Sequence, residues 1–197
     1  MDYRVFHAIN DFVRHHTWLE RAFNGIETWG TILIAAAAVA LWLLARPHAG
    51  EKWKLAAASA LASGGLGYVV NQVIHAIWDR PRPYESHLGV YHPHEHATDA
   101  SFPSDHTSAA FGIAVAVALF DPVVGAAFLV LAALIGIGRL IVGAHYPGDV
   151  LAAVGVGAVS AFVVVRYARP VIEFLVRLVE RVTDPVLAPL WRRRARA

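Results

Sequence analysis

Long apolar runs dominate the pattern of this chain, and they predict helices that cross a membrane. A spanning helix needs about 20 mainly apolar residues, and residues 26–45, 53–78, 123–142 and 147–167 meet that requirement. A shorter apolar run, residues 107–120, predicts a further span if the polar residues before it form its first turn. The pattern therefore predicts about five transmembrane helices.

Amphipathic segments flank these spans at both ends of the chain. Residues 2–23 carry apolar side chains between arginines and histidines, and residues 171–190 have a similar pattern; both suit helices lying at a membrane surface. The one long connection is residues 79–102, and loops of this length in compact domains are often functional. The sequence thus predicts an all-α, polytopic membrane helix bundle that forms a single domain over residues 1–197.

Composition supports a membrane domain and excludes several other classes. Hydrophobic residues make up 57% of the chain and charged residues 16%, whereas an ordinary soluble domain has roughly 25% charged residues. The net charge of +2 gives no reason to expect nucleic-acid binding. The chain has no cysteine, so a disulfide framework and a thiolate metal site are both excluded. The first residues lack an uninterrupted apolar core, so no signal peptide is expected.

Lysine and arginine residues predict the orientation of the spans, because they favour the cytoplasmic side. They are concentrated in the turn between the first two spans and in the tail after residue 190, which five spans place on the same side. The loop 79–102 and the turn 143–146 are then predicted to face outward. The residues that carry this prediction are Arg46, Lys52, Lys54, Arg192, Arg193, Arg194 and Arg196.

Three polar clusters interrupt the apolar pattern, and the predicted topology brings them to the same outer face. They are HAIWDRPRPY at residues 75–84, FPSDH at residues 102–106 and GRLIVGAHYPGD at residues 138–149. Ionisable groups beside hydrocarbon are costly and usually mark function. The clusters therefore predict a polar site at the outer membrane surface.

Several groups in these clusters suit an oxyanion such as phosphate. Arg80, Arg82 and Arg139 are permanent cations whose forked geometry matches phosphate oxygens. Residues 104–106 lie at a predicted helix N-terminus, where free N–H groups and the helix dipole favour an anion.

The same clusters contain groups that transfer protons or form bonds to phosphorus. His106 and His145 can do either near neutral pH. Asp149 follows His145 by four residues, so it is predicted to accept a hydrogen bond from one imidazole nitrogen and to leave the other free for attack.

The three clusters resemble the signatures of the type 2 phosphatidic acid phosphatase (PAP2) superfamily, which are Lys-x6-Arg-Pro, Pro-Ser-x-His and Ser-Arg-x5-His-x3-Asp. The spacing agrees in all three, within residues 75–149. His75 stands where lysine is usual, and Gly138 where serine is usual. Further stretches, MDYRVFHAIN at the start and HATDASFPSDHTSAAF in the middle, resemble the bacitracin-resistance-type undecaprenyl-diphosphate phosphatases.

This resemblance implies a role for each site residue. His145 is expected to be the nucleophile that forms a phosphohistidine, Asp149 to orient it, and His106 to protonate the leaving oxygen and then activate water. No metal and no cofactor are expected, because the arginines Arg80, Arg82 and Arg139 can stabilise the developing charge. The residues expected to bind the substrate phosphates are His75, Arg80, Arg82, Ser104, Asp105 and Arg139.

The resemblance also implies a polyprenyl diphosphate lipid as substrate, in the bilayer of a bacterial plasma membrane with the site facing outward. A phosphatase for phosphatidic acid, phosphatidylglycerophosphate or another lipid phosphate is the alternative. A non-catalytic lipid carrier and a soluble vanadium haloperoxidase are disfavoured by the intact site and by the five spans, respectively. The histidine-rich loop, residues 87–99, is expected to be a lid or solvated loop, with a metal site as the alternative. The pattern does not fix an oligomeric state.

Overall fold

The structure, a computed structural model, describes residues 2–45 and 51–194, with side chains described up to residue 189. Each regular element in these ranges is an α-helix, which confirms the predicted fold class. The helices, in chain order, are α1 Asp2–His15, α2 Thr17–Leu44, α3 Glu51–Ile77, α4 Pro83–Ser86, α5 Asp105–Phe120, α6 Pro122–Ile141, α7 Pro147–Tyr167 and α8 Arg169–Arg194.

Five of these helices correspond to the five predicted spans. Within the described ranges, α2, α6 and α7 are long and apolar enough to cross a membrane, and α5 is a shorter apolar helix of 16 residues. Helix α3 has 27 residues and is long enough, but it mixes alanines with serines, glycines and side-chain amides. These small and polar residues lie where helices approach one another closely.

The short helix α5 is the centre of the bundle and packs against α2, α3, α6 and α7. Glycines make the closest of these contacts possible. A Cβ on Gly112 would lie 2.7 Å from the Ser63 carbonyl oxygen of α3, and one on Gly157 of α7 would lie 2.6 Å from the Ser108 carbonyl oxygen. Backbone atoms cannot move aside as a flexible side chain can, so both positions require glycine.

The turn between α5 and α6 places the start of α5 inside the bundle. Asp121 caps α6 by accepting hydrogen bonds at 3.1 Å from the amides of Val123 and Val124, and Pro122 occupies the first helical position. With 16 residues, α5 is about 24 Å long, whereas the antiparallel α6 is about 30 Å long. Helix α5 therefore begins below the level at which α6 ends, which leaves a recess over its N-terminus.

The amphipathic N-terminal helix is confirmed, although it is shorter than the predicted range of residues 2–23. It ends at His15, and the residues from Thr17 onward belong to the long helix α2. Helix α1 packs against α2, α6 and α7. Its Asp2 carboxylate accepts a hydrogen bond at 2.8 Å from the amide of Gly148, at the start of α7. Helix α1 thus covers the end of the bundle where the three polar clusters meet.

The C-terminal amphipathic helix α8 is fastened to the opposite end of the bundle. The buried ammonium group of Lys54 in α3 forms ion pairs with Glu180 at 2.9 Å and with Asp184 at 2.6 Å. Of the residues that carry the predicted orientation, Arg46 and Arg196 lie outside the described residues, as do the side chains of residues 192–194. The orientation of the bundle therefore stays a prediction.

Candidate active site

The three polar clusters meet in one cavity of about 190 Å³. It lies where the end of α3, the N-terminus of α5, the end of α6 and the start of α7 come together beside the loop 79–102. Most of the predicted site residues line this cavity, namely His75, Arg82, Asp105, His106, Arg139 and His145.

The predicted nucleophile, His145, is held in the turn between α6 and α7 with only 2% of its surface exposed. Its Nδ1 lies 2.7 Å from the carbonyl oxygen of Ser101. A carbonyl only accepts hydrogen bonds, so Nδ1 carries the hydrogen and Nε2 keeps its lone pair. Nε2 lies 3.4 Å from Arg82 Nη1 and 3.3 Å from Arg139 Nη2.

The surroundings of His145 keep its imidazole neutral. Burial, followed by the positive charges of Arg139 and Arg82, holds the pKa of His145 well below its usual value. A neutral imidazole has the free lone pair that nucleophilic attack requires. The geometry therefore presents Nε2 as a nucleophile between two guanidinium groups.

Asp149 supports the nucleophile differently from the prediction. Its carboxylate lies 3.8 Å from His145 Nδ1, beyond hydrogen-bond distance, so the predicted hydrogen bond between them is not formed. The carboxylate instead accepts hydrogen bonds from the Ser101 hydroxyl at 2.6 Å and from the Tyr146 amide at 2.9 Å. Asp149 thus fixes the segments on either side of the imidazole, and the Ser101 carbonyl sets its tautomer.

Carboxylates from other parts of the chain hold both cavity arginines. Arg82 donates from Nη2 to Asp99 at 2.8 Å. Arg139 is paired with Glu27 of α2 and, at 3.2 Å, with Glu95 of the loop. The buried Nε of Arg139 has no hydrogen-bond partner among the described residues. Arg82 and Arg139, which form the arginine clamp, are therefore held in place by these carboxylates.

The predicted acid, His106, is the more accessible of the two histidines. Its side chain is 40% exposed, and its Nε2 lies 3.9 Å from Glu27. It follows Asp105 at the N-terminus of α5 and lines the cavity together with His145. This position allows His106 to reach an oxygen on the open side of a bound phosphate.

Two residues predicted to bind phosphate lie outside the cavity lining. Arg80 forms ion pairs with Asp149 and, at 2.7 Å, with Asp2, and it stacks on the Tyr146 ring. It therefore belongs to the support of Asp149. The buried Ser104 hydroxyl caps α5 and accepts a hydrogen bond at 3.0 Å from the Thr107 hydroxyl.

Two other predicted phosphate ligands line the cavity through atoms that suit a cation. The Asp105 carboxylate accepts hydrogen bonds from Asn71 at 2.8 Å and from Gln72 at 3.0 Å. His75 Nε2 lies 3.0 Å from the Pro103 carbonyl oxygen. The part that Asp105 plays in binding phosphate stays a prediction.

Sequence reasoning did not place four residues in this site: Glu27, Glu95, Asp99 and Ser101. A signal was present for Glu27, since a carboxylate inside a predicted span is a functional candidate by default. No pattern identified the other three as partners of the clamp.

The structure groups the possible metal ligands differently from the alternative that placed a metal site within the loop 87–99. Among the described residues, the side chains that converge like metal ligands are His75, Asp99 and Asp105, with their ligand atoms within 4.8 Å of one another.

Two solved structures share this fold. The crystal structure of LpxE from Aquifex aeolicus superposes with a TM-score of 0.69 at 23% identity, covering 84% of this chain and 95% of that protein. The first transmembrane PAP2-type phosphatidylglycerolphosphate phosphatase from Bacillus subtilis gives a TM-score of 0.61 at 22% identity, covering 85% and 86%. Both comparisons support the helical membrane fold.

The sequence relationship extends along nearly the whole chain. Undecaprenyl-diphosphatase BcrC from Bacillus subtilis strain 168 is 31% identical over 187 residues, which cover 93% of this chain and 94% of that protein. The PAP2 superfamily matches residues 53–172, a range that contains all three polar clusters. This protein therefore belongs to the PAP2 superfamily and is a multi-pass membrane phosphatase.

Proposed function

We propose that this protein hydrolyses undecaprenyl diphosphate and releases its terminal phosphate. The observation that carries the chemistry is the position of His145 Nε2, whose unprotonated lone pair accepts hydrogen bonds from Arg82 and Arg139 at 3.4 and 3.3 Å. The similarity to undecaprenyl-diphosphatase BcrC over nearly the full length of both chains supports the choice of substrate.

In the first step, His145 Nε2 attacks the terminal phosphorus. A P–N bond forms while the bond from phosphorus to the bridging oxygen breaks, and the lipid monophosphate leaves. The guanidinium groups of Arg82 and Arg139 bind the oxygens on which charge develops. His106 donates its proton to the leaving oxygen. The Nδ1–H bond to Ser101 persists throughout and stabilises the imidazolium of the phosphohistidine.

In the second step, water attacks the phosphohistidine. His106, which lost its proton in the first step, now takes one from the water. The P–N bond breaks, inorganic phosphate leaves, and His145 returns to its neutral form. The low pKa that burial and the two arginines give to His145 makes its imidazole a good leaving group here.

The location of the site suits a lipid whose phosphates reach the membrane surface. The cavity lies over the recessed N-terminus of α5, among helices long enough to span the hydrocarbon. The lysine and arginine bias supports a cavity that faces the outside of a bacterial plasma membrane. The polyprenyl tail would remain in the bilayer while its diphosphate enters the cavity.

A panel of substrates tests this proposal on the purified full-length protein in detergent. Phosphate release is compared for undecaprenyl diphosphate, farnesyl diphosphate, phosphatidic acid and phosphatidylglycerophosphate, with His145→Ala as the inactive control. We expect kcat/KM to be at least tenfold higher for undecaprenyl diphosphate than for either glycerolipid. A preference for phosphatidic acid or phosphatidylglycerophosphate would instead establish the alternative glycerolipid phosphatase.

A further inference from the structure

One carboxylate of the cavity comes from outside the three polar clusters. Glu27 belongs to α2, a helix long and apolar enough to cross a membrane, and its side chain is only 12% exposed. The PAP2 match begins at residue 53 and therefore does not include it. A carboxylate in such a helix is costly and by default marks function. Glu27 is thus a candidate for a role that the three signatures do not contain.

The packing of α2 against α6 places Glu27 beside the arginine clamp. A Cβ on Gly138 of α6 would lie 3.7 Å from the Glu27 Cβ and 3.5 Å from Phe23 Cδ1. The next residue, Arg139, donates from Nη1 to Glu27 Oε1. The other terminal nitrogen of Arg139, Nη2, lies 3.3 Å from His145 Nε2. One guanidinium group therefore links Glu27 to the nucleophile.

The same carboxylate oxygen faces the predicted acid. Glu27 Oε1 lies 3.9 Å from His106 Nε2, which is too far for a hydrogen bond. It is close enough for attraction between charges, since an opposite charge within about 4–6 Å favours the charged form of a group. The carboxylate can therefore stabilise an imidazolium without accepting its proton, which remains free for the leaving oxygen.

We infer that Glu27 is a positioning residue of the reaction, which pairs with Arg139 in the clamp and favours the protonated form of His106. This role rests on the proposed function, in which His106 is the acid. The proton passes from His106 Nε2 to the leaving oxygen in the first step, and Nε2 takes a proton from water in the second. Glu27 stays ionised throughout and neither gains nor loses a proton.

Arg139 does not depend on Glu27 alone for its position. It is also paired with Glu95 of the loop 79–102 at 3.2 Å, and it is 2% exposed. In Glu27→Gln this second pair remains, and the glutamine oxygen can still accept a hydrogen bond from Nη1. Glu27→Gln therefore removes the charge while the clamp keeps its place.

Removal of this charge should change anion binding and turnover in opposite directions. Glu27 repels a phosphate in the cavity, so Glu27→Gln should bind vanadate at least as tightly as the unchanged protein. His106 loses the charge that favours its imidazolium, so kcat on an alkyl phosphate should fall about tenfold or more. If Glu27 served only to fix Arg139, vanadate binding and turnover would weaken together.

The leaving group of the substrate shows whether this loss passes through His106. An aryl phosphate needs little protonation of its leaving oxygen, so its kcat should change much less in Glu27→Gln. In a protein that already carries His106→Ala, Glu27→Gln should cause little further loss, because both changes impair one proton transfer. Glu27→Asp keeps the charge on a side chain one methylene shorter and should recover part of the turnover on the alkyl phosphate.

Glu20→Gln provides a matched control in the same helix. Glu20 is 1% exposed and lies 2.8 Å from His94 of the loop 79–102, but it is not among the residues that line the cavity. This change also removes a buried carboxylate with a histidine partner, and any effect on kcat should be equal for the alkyl and the aryl phosphate.

Thermal unfolding identifies the folded variants. If Glu27→Gln does not fold, Glu27→Asp still provides a test, because its longer distance to His106 should lower alkyl phosphate turnover more than aryl phosphate turnover. Full alkyl phosphatase activity in a folded Glu27→Gln, an equal loss on both substrates, or weaker vanadate binding would overturn the role of Glu27 while the proposed function stands. The proposed function fails separately, if the unchanged protein releases no phosphate from undecaprenyl diphosphate.

Discussion

The support of His145 by Asp149 leads to a quantitative prediction for Asp149→Asn. In enzymes whose carboxylate contacts the catalytic imidazole directly, the same change lowers turnover about 10⁴-fold, because the wrong tautomer forms. Here the Ser101 carbonyl, 2.7 Å from Nδ1, sets the tautomer, and Asp149 lies 3.8 Å away. A side-chain substitution does not remove a backbone carbonyl, so Nε2 should keep its lone pair in this variant.

The expected loss is that of an outer supporting residue, about 10- to 100-fold in kcat. In the unchanged protein the Ser101 hydroxyl and the Tyr146 amide lie 2.6 and 2.9 Å from the Asp149 carboxylate. An asparagine oxygen at this position can still accept a hydrogen bond from one of them. Arg80 loses one ion pair but keeps Asp2 at 2.7 Å. The variant should therefore fold, with a less firmly held imidazole.

Ser101→Ala provides the matched test, because it removes the hydroxyl link to Asp149 and keeps the carbonyl. Single-turnover phosphate release should show similar losses for Ser101→Ala and Asp149→Asn. The double variant should be little worse than Asp149→Asn alone, since both changes remove one connection. A loss near 10⁴-fold for a folded Asp149→Asn, or fully additive losses in the pair, would mean that Asp149 contacts the imidazole during turnover.

Three further predictions concern the nucleophile and the orientation of the bundle. His145→Ala should abolish turnover and the acid-labile phosphoenzyme, and near-normal turnover would contradict its role. Because burial and two arginines lower the pKa of His145 well below 6.5, protonation of the nucleophile should cause no loss of kcat/KM near that pH. A loss there that persists in His106→Ala would refute this. In intact cells, Leu88→Cys should react with an impermeant thiol reagent and Glu51→Cys should not, and the reverse would place the site in the cytoplasm.

Much of this fold was predictable because its elements are defined locally. The apolar runs mark the spanning helices, and Asp121 with Pro122 marks the start of α6 as expected. The N-terminal boundary was not predictable in the same way. The break at His16 depends on how α1 packs against other helices, and the amphipathic spacing continues across it.

The candidate site was predictable where it depends on spacing along the chain. Motif spacing identified His106, His145 and Arg139, and the topology brought them together. It did not identify Glu27 or Glu95, whose importance comes from a contact with Arg139 across the bundle. It also did not identify the ion pairs of Arg80, because an arginine that suits phosphate equally suits a carboxylate such as Asp149. Pairing between distant segments is set by packing, which a single sequence does not display.

The role of His106 can be tested through the leaving group of the substrate. Its partly exposed imidazole lines the same cavity as the buried His145, as a proton donor to the departing oxygen would. His106→Ala should lower turnover roughly 10²- to 10⁴-fold on an alkyl phosphate, the usual scale for removing a general acid. Vanadate binding should change less, because the arginine clamp is intact.

The size of this loss should depend on how much the departing oxygen needs a proton. An alkoxide is a poor leaving group, so an alkyl phosphate should show the full effect of His106→Ala. An aryl phosphate leaves readily and should show a much smaller loss. A lipid monophosphate departing from a diphosphate should lie nearer the aryl case, since its charge is spread over several oxygens. The turnover of His106→Ala is divided by that of the unchanged protein for each substrate. If this ratio is equal for all three substrates, protonation of the leaving group is not the rate-determining task of His106. Its role would then be activation of water in the second step or support of the anion site.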